Sequence, residues 1–179
     1  MRFLSSLHCL TAFTLSIAMA ACAPMAQRSP DTAPLENDNV TVQLVNPDQF
    51  REIRQNRNYG DVRDGSWLVA LQKYVVDRAG RRLDAGQHLD VNITDIKRAG
   101  DFEPLRGPNF NDIRVVKDIY PPRIDLNYAI KDGSGSVIRE GRDELTDLAF
   151  LRRIVRNDTD PLRYEKRLID EWLGKVLPL

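Results

Sequence analysis

The stretch "RIDLNYAIKDGSGSVIREGRDEL", residues 123–145, predicts the central hairpin of the fold. In its first part, apolar residues alternate with polar ones, as in a strand with one buried face. These apolar residues are Ile124, Leu126, Tyr128 and Ile130. The composition of residues 132–136 favours a turn, because Gly, Asp and Ser each suit tight backbone geometry. We therefore expect a hairpin in which residues 137–145 return beside the first strand, whose four apolar residues face the core.

Two further strands and a helix precede this hairpin. Residues 40–44 and 89–93 also alternate between apolar and polar side chains, which predicts two half-buried strands. Between them, residues 66–79 place Leu68, Leu71 and Val75 on one stripe of a helix. Because a helix joins these two strands, we expect them to be parallel and to be connected by a right-handed crossover.

A second helix is predicted at the end of the chain. Asp160 and Pro161 suit its first positions, as a capping residue and a first-turn proline. The apolar stripe of this helix consists of Leu162, Ile169, Trp172, Leu173 and Val176. The order of the elements predicts an α+β, two-layer domain. Its sheet would be mixed, mostly antiparallel and four- to five-stranded, with the two main helices on one face.

Residues 50–64 are polar and rich in arginine, and they show no apolar period. We interpret them as a solvated loop or surface. The alternative is a basic stretch that touches anionic lipid head groups, although Glu52 and Asp61 dilute its charge.

The amino-terminal residues 1–21 have the pattern of a signal peptide. A basic Arg2 is followed by an apolar run that is too short for a permanent membrane span. The sequence "MAAC", residues 19–22, resembles the lipobox of bacterial lipoproteins. This resemblance implies cleavage before Cys22 and lipid attachment to it. The alternative is an ordinary secreted protein that is cut near Ala21.

Residues 22–38 are predicted to be a flexible linker between the lipid and a single domain at 39–179. Three prolines lie there among small and polar residues, with little apolar surface to bury. The absence of Asp after Cys22 suggests sorting to the outer membrane. We therefore expect a lipoprotein on the periplasmic side of the envelope, held to the membrane through its amino-terminal lipid.

Charge and cysteine content exclude several functions. Removal of residues 1–21 takes away Arg2 alone among the charged residues and leaves 25 basic against 26 acidic side chains. A near-neutral chain gives no electrostatic reason to expect nucleic acid as a partner. A lipidated Cys22 would leave no thiol for a disulfide, a nucleophile or a metal site. We expect no cofactor and no metal.

Four segments carry a resemblance to a known family. They are "VTVQLVNPDQF" at 40–50, "LDVNITDIKRAGDFEP" at 89–104, "VVKDIYPPRIDLNYAI" at 115–130 and "DPLRYEKRLIDEWL" at 160–173. In this order they resemble a family of proteobacterial envelope proteins known as domain-of-unknown-function family 3016. The resemblance implies an exported domain, and it brings no established activity and no catalytic residues.

Motifs for catalysis and for metal binding are weak. After signal cleavage His88 would be the remaining histidine, and it lies beside a turn. The spacing of Asp132, Ser134 and Ser136 suits a calcium loop, but Val137 occupies the sixth position, where the loop needs Gly. A pair of carboxylates drawn from Asp95, Asp118 and Asp125 could hydrolyse cell-wall glycans if they lay about 5–10 Å apart. We assign no catalytic residue.

The segment Tyr120-Pro121-Pro122 is the strongest candidate for an interaction site. Two prolines cannot donate to a sheet, so they hold Tyr120 on a rigid bend. A rigid aromatic residue costs little entropy to order in an interface. The alternative is a corner residue in the core. The preferred function is an interaction or accessory module that binds an unidentified envelope protein; the alternatives are an acid-residue hydrolase and a small-ligand-binding domain.

Overall fold

The computed structural model describes residues 33–103, 112–152 and 159–178. The predicted signal peptide, Cys22 and most of the predicted linker lie outside these residues. The strands are β1 (Leu35–Asn37), β2 (Val40–Leu44), β3 (His88–Lys97), β4 (Asp101–Phe102), β5 (Arg114–Val115), β6 (Arg123–Lys131) and β7 (Val137–Thr146). The helices are α1 (Arg51–Asn56), α2 (Gly60–Arg63), α3 (Ser66–Ala79) and α4 (Arg163–Val176), with short 3-10 helices at Pro47–Gln49 and Phe150–Arg152.

The main sheet has five strands in the order β1-β2-β3-β6-β7. Strands β2 and β3 are parallel, as the intervening helix predicts, and the other neighbours are antiparallel. The hairpin at residues 123–145 is present as β6 and β7. A separate two-stranded sheet contains β4 and β5. The predicted α+β fold class is confirmed.

One face of the main sheet carries the core. Residues of β2, β3 and β6 alternate between buried and more exposed, and their buried side chains form one cluster with those of α3 and α4. Ile124, Leu126, Tyr128 and Ile130 all belong to this cluster, as the sequence predicts. The opposite face of the sheet is polar, and we call it the open face.

The two main helices are joined by a polar contact. The Asp170 carboxylate on α4 accepts hydrogen bonds from the Tyr74 hydroxyl at 2.7 Å and from Arg78 Nε at 2.8 Å, both on α3. Burial and the bond to Asp170 raise the pKa of Tyr74 to about 12. The hydroxyl therefore stays protonated and continues to donate at neutral pH.

Trp172 on α4 is buried against the β6–β7 hairpin, as predicted for the apolar stripe of this helix. Its ring meets that of Tyr128 edge to face, with centroids 5.7 Å apart. Gly141 lies opposite Tyr128 on β7. A Cβ on Gly141 would approach the Tyr128 ring to 2.9 Å, closer than such carbons come in proteins. Glycine is therefore required there for the tyrosine to pack.

Residues 50–64 are partly solvated, with Arg54, Arg57 and Arg63 exposed as expected, but they do not form a loop. These residues form α1 and α2, and Glu52, Asn56 and Val62 are buried there. The apolar period was too sparse to reveal the helices, because polar residues occupy several of the buried positions. The carboxylate of the buried Glu52 accepts hydrogen bonds from Lys97 Nζ and from the Arg98 backbone amide.

Both ends of the domain differ in detail from the sequence expectation. Strand β1 pairs with β2 and lies inside the range 22–38 that was expected to be linker. At the other end, α4 begins at Arg163 and not at Asp160. The Asp160 carboxylate accepts from the Leu162 amide at 2.8 Å, so it stabilises a turn that leads into the helix.

Candidate functional site

Residues 112–122, which we call the connector, contain β5 and lead into β6. The predicted Tyr120-Pro121-Pro122 bend is its last part. The Tyr120 backbone is fixed, because its amide donates to the Lys117 carbonyl at 3.0 Å and its carbonyl accepts from the Gly100 amide at 3.0 Å. The bend is therefore held by one hydrogen bond within the connector and by a second one to Gly100, which follows β3.

The Tyr120 side chain is partly exposed, and it is not a member of the core cluster. Its hydroxyl lies 3.2 Å from the Glu103 carboxylate, which also pairs with Lys117 Nζ at 2.5 Å. Partial burial and the bond to Glu103 raise the pKa of Tyr120. Pro122 is buried, and its carbonyl accepts from the Thr146 hydroxyl at 3.2 Å.

The connector presents apolar side chains to solvent. Ile113, Val116 and Ile119 are 50%, 36% and 66% exposed. They are three of the seven exposed large hydrophobic residues in the part of the chain that the structure describes. All three fall within seven positions of one segment that is held to the rest of the domain by hydrogen bonds.

A buried charge cluster lies beneath the connector. It consists of Glu52, Lys97, Arg98, Arg114 and Glu165. Glu52 is fully buried and accepts hydrogen bonds from Arg114 Nη2, from Lys97 Nζ at 3.2 Å and from the Arg98 amide at 3.0 Å. A carboxylate without solvent must be compensated in this way, since a buried lone charge is very costly.

Glu165 is the second buried acid of the cluster. Its Oε1 accepts from the Ala99 amide at 2.6 Å, whereas its Oε2 has no hydrogen-bond partner among the described residues. Burial raises the pKa of Glu165, and the Arg98 and Arg114 guanidinium groups oppose this rise. Glu165 therefore binds a proton more readily than an exposed glutamate.

The arginines of the cluster connect distant elements. Arg98 donates to Asp61 on α2 at 3.0 Å, and its guanidinium lies 5.4 Å from the centre of the Trp67 ring. Arg114 joins the connector to Glu52 on α1 and to the Gly100 carbonyl at 3.3 Å. Through Arg114 and Glu52, the cluster links the connector to α1.

Gly100 permits the close approach of the connector. Its φ is +80°, in the left-handed region that glycine tolerates. A Cβ at this position would lie 2.8 Å from the Val115 carbonyl oxygen. Any larger residue would therefore push β5 away from the end of β3.

The structure brings Asp95 and Asp125 together and leaves Asp118 apart. Asp95 and Asp125 are opposite each other on β3 and β6, whereas Asp118 is exposed on the connector. Arg51 bridges the first two, with Nε 2.7 Å from Asp95 and Nη2 3.4 Å from Asp125. Burial raises the pKa of Asp125, and Arg51 opposes this rise.

His88 borders a surface cavity of about 590 Å³ near the β6–β7 turn. Its Nε2 lies 3.1 Å from the Thr41 hydroxyl and 3.2 Å from Asp90. Asp132 caps the turn by accepting from the Ser134 hydroxyl at 2.6 Å and from the amides of Ser134 and Ser136 at 2.8 and 3.0 Å. These bonds, that of the hydroxyl above all, lower the pKa of Asp132. In the described ranges, no three His, Cys, Asp or Glu residues are grouped as metal ligands.

Sequence reasoning missed the buried charge cluster. Glu52 lies in a stretch that looked solvated. Glu165 lies three residues after Leu162 and four before Ile169, so it falls on the predicted apolar stripe of the last helix, and this spacing was a signal of its burial. A second signal is that "RYEK", residues 163–166, is among the segments that carry the family resemblance. Cys22 lies outside the described residues.

Comparison with known proteins identifies the family. The family model described as "Protein of unknown function (DUF3016)" matches residues 38–175, and the chain belongs to this family. No curated protein and no solved structure matches this chain. Across the ranges that the structure describes, none of the helices combines the length and apolar character needed to cross a membrane.

Proposed function

We propose that this DUF3016 protein is an exported, lipid-anchored envelope protein and that its domain binds another envelope protein through the connector. The observation that carries the proposal is the group of exposed apolar residues Ile113, Val116 and Ile119. Exposed apolar side chains that together form a contiguous patch commonly mark a protein interface, and the position of these three on one short segment supports such a patch.

The contacts around the connector support a role in recognition. The segment is tied down by Arg114 to Glu52, by Lys117 to Glu103 and by the Tyr120 carbonyl to the Gly100 amide. A segment that is ordered before binding loses less entropy when a partner binds. The fitting partner is a protein surface with an apolar patch that can cover the three aliphatic side chains.

The test of the connector is site-specific photocrosslinking in intact cells. A photoreactive amino acid at position 119 should capture a defined envelope protein, and the same probe at Leu148, which is 73% exposed, should not. Ile113→Ser should reduce capture from position 119 while the melting temperature stays within the error of the wild type. Equal capture from positions 119 and 148, or none from either, would contradict the proposal.

The proposed anchor has an independent test. The sequence "MAAC", residues 19–22, supports lipid attachment at Cys22. Labelled fatty acid should enter the wild-type protein, which should sediment with membranes, and Cys22→Ser should abolish both properties. Several acyl chains anchor a protein firmly, at about 0.8 kcal/mol per buried methylene. A soluble, unlabelled wild-type protein would refute the anchor.

A second candidate function is hydrolysis of cell-wall material by Asp95 and Asp125. It is favoured by their opposed positions and by the raised pKa of Asp125, which suits a group that donates a proton. Arg51 argues against it, because it pairs with both carboxylates. Digestion of purified cell-wall material that is lost in Asp125→Asn would establish it, and no digestion by the wild type would exclude it.

A further inference from the structure

Strand β7 forms one edge of the main sheet and is ten residues long. Within the described residues it pairs with β6 alone, so its outer backbone groups face no other strand. Such an edge is a template for pairing with another strand. Its middle carries a dense pattern of charges around a glycine, in the sequence Arg139-Glu140-Gly141-Arg142-Asp143.

We propose that β7 pairs antiparallel with β7 of a second copy of this chain, about a two-fold axis at Gly141. Two identical strands that pair antiparallel in one continuous sheet are related by a two-fold axis normal to that sheet. The residue on the axis then faces its own copy, and directly opposite residues lie on the same face of the sheet.

The charges permit one register in this segment. If the axis moved to Arg139, Glu140, Arg142 or Asp143, that residue would face an identical charge. Like charges directly opposite each other on paired strands are destabilising. Gly141 is the uncharged residue of the five, so an axis there avoids this repulsion.

An axis at Gly141 also aligns opposite charges. Glu140 of each copy then lies opposite Arg142 of the other, and Arg139 lies opposite Asp143. Symmetry doubles each pair, which gives four attractive pairs over five residues. Charged residues on an edge strand ordinarily discourage pairing, but here their order discourages the alternative registers and favours this one.

The side chains that would form these pairs have different surroundings on the two faces of the sheet. On the core side, Arg139 donates to the Val176 carbonyl at 3.3 Å and Asp143 accepts from Trp172 Nε1 at 2.9 Å, so both are positioned by α4. On the open face, the Arg142 and Glu144 side chains lie 3.5 Å apart and are 67% and 71% exposed. Because this surface pair is so exposed, Arg142 can turn towards the second copy's Glu140 at little cost.

The interface would be modest in size. A single pair of strands covers less surface than the roughly 800 Å² per partner of a typical stable interface. We therefore expect a reversible dimer with a dissociation constant in the micromolar range. The pairing does not involve the connector, so it stands independently of the proposed function.

The test is a charge swap read by sedimentation equilibrium of the full chain in detergent, over about 1–100 µM. The wild type should dimerise. Glu140→Arg and Arg142→Glu each convert two attractive pairs into two repulsive ones, and each should raise the dissociation constant at least about tenfold. The double variant Glu140→Arg/Arg142→Glu restores opposite charges and should restore the dimer. Arg81→Glu, an exposed charge reversal away from β7, is the matched control and should dimerise as the wild type does.

Three outcomes would overturn the proposal. They are a wild-type protein that stays monomeric over the whole range, a dimer that resists both single reversals, and a double variant that remains monomeric. Circular dichroism of each variant should match the wild type, because Glu140 and Arg142 are exposed and the fold does not depend on their charges.

Discussion

Replacement of Glu52 by Gln should destabilise the domain strongly, although the two side chains have nearly the same shape. The substitution leaves Lys97 and Arg114 facing a neutral amide, and their side chains are only 12% and 13% exposed. Breaking a buried ion pair from one side costs about 3–5 kcal/mol. In the variant each cation retains two other partners. Lys97 and Arg114 both lie within 3.3 Å of the Gly100 carbonyl oxygen, and each lies 3.6 Å from a second carboxylate. We therefore expect the lower end, about 3 kcal/mol.

This loss is measurable by urea denaturation followed by tryptophan fluorescence. A change of about 3 kcal/mol is a large part of the 5–15 kcal/mol that stabilises a typical domain. It should lower the melting temperature by about 6–12 °C in a domain of this size. Glu36→Gln, at an exposed position on β1, is the matched control and should change stability by less than about 0.5 kcal/mol.

Amide hydrogen exchange provides a second measurement on the Glu52→Gln variant. Because Glu52 holds the connector through Arg114, amides of residues 112–122 should exchange faster in Glu52→Gln than in the wild type. A loss of less than about 1 kcal/mol together with unchanged exchange in the connector would refute the reasoning. It would mean that the charge cluster contributes no stability beyond its packing.

Three other predictions follow from named contacts. Gly100→Ala should cost more stability than Gly86→Ala. Both glycines have φ near +80°, but a new Cβ would meet the Val115 carbonyl oxygen at position 100 and would have nothing within 4 Å at position 86. Equal losses in urea denaturation would contradict this prediction. The raised pKa of Glu165 means that its contribution to stability is fully present below its usual pKa of 4.5 and is lost as pH rises through the folded value. Glu165→Gln should therefore gain stability relative to the wild type as pH rises above 4.5, and parallel stability profiles would be the contrary result. Deletion of the chain from residue 160 removes α4 and seven buried apolar side chains, each worth about 1.5–3 kcal/mol, so the product should not melt cooperatively.

Much of the framework follows from the sequence alone. Alternation of apolar residues defines β2, β3 and β6, and a helical period defines α3, because these elements each bury one face against a single core. The helix between β2 and β3 indicates their parallel pairing, since a parallel connection needs a crossover and a helix commonly supplies it. The charge pattern around Gly141 is also a property of the sequence.

Tertiary structure alone decided where the polar residues lie. Glu52 looks like an ordinary surface glutamate in the sequence, and Glu165 lies on the apolar stripe of α4 without any local sign of what compensates its charge. Both are buried because Arg114, Lys97 and backbone amides from other elements meet them there. These partners are distant in the chain, so no local period can reveal them. In the same way, Asp95 and Asp125 share Arg51 only because β3 and β6 are neighbours, whereas Asp118, which looks equivalent in sequence, lies on the connector. Local patterns determine which surfaces must be buried, and long-range packing determines which charges are paired when this happens.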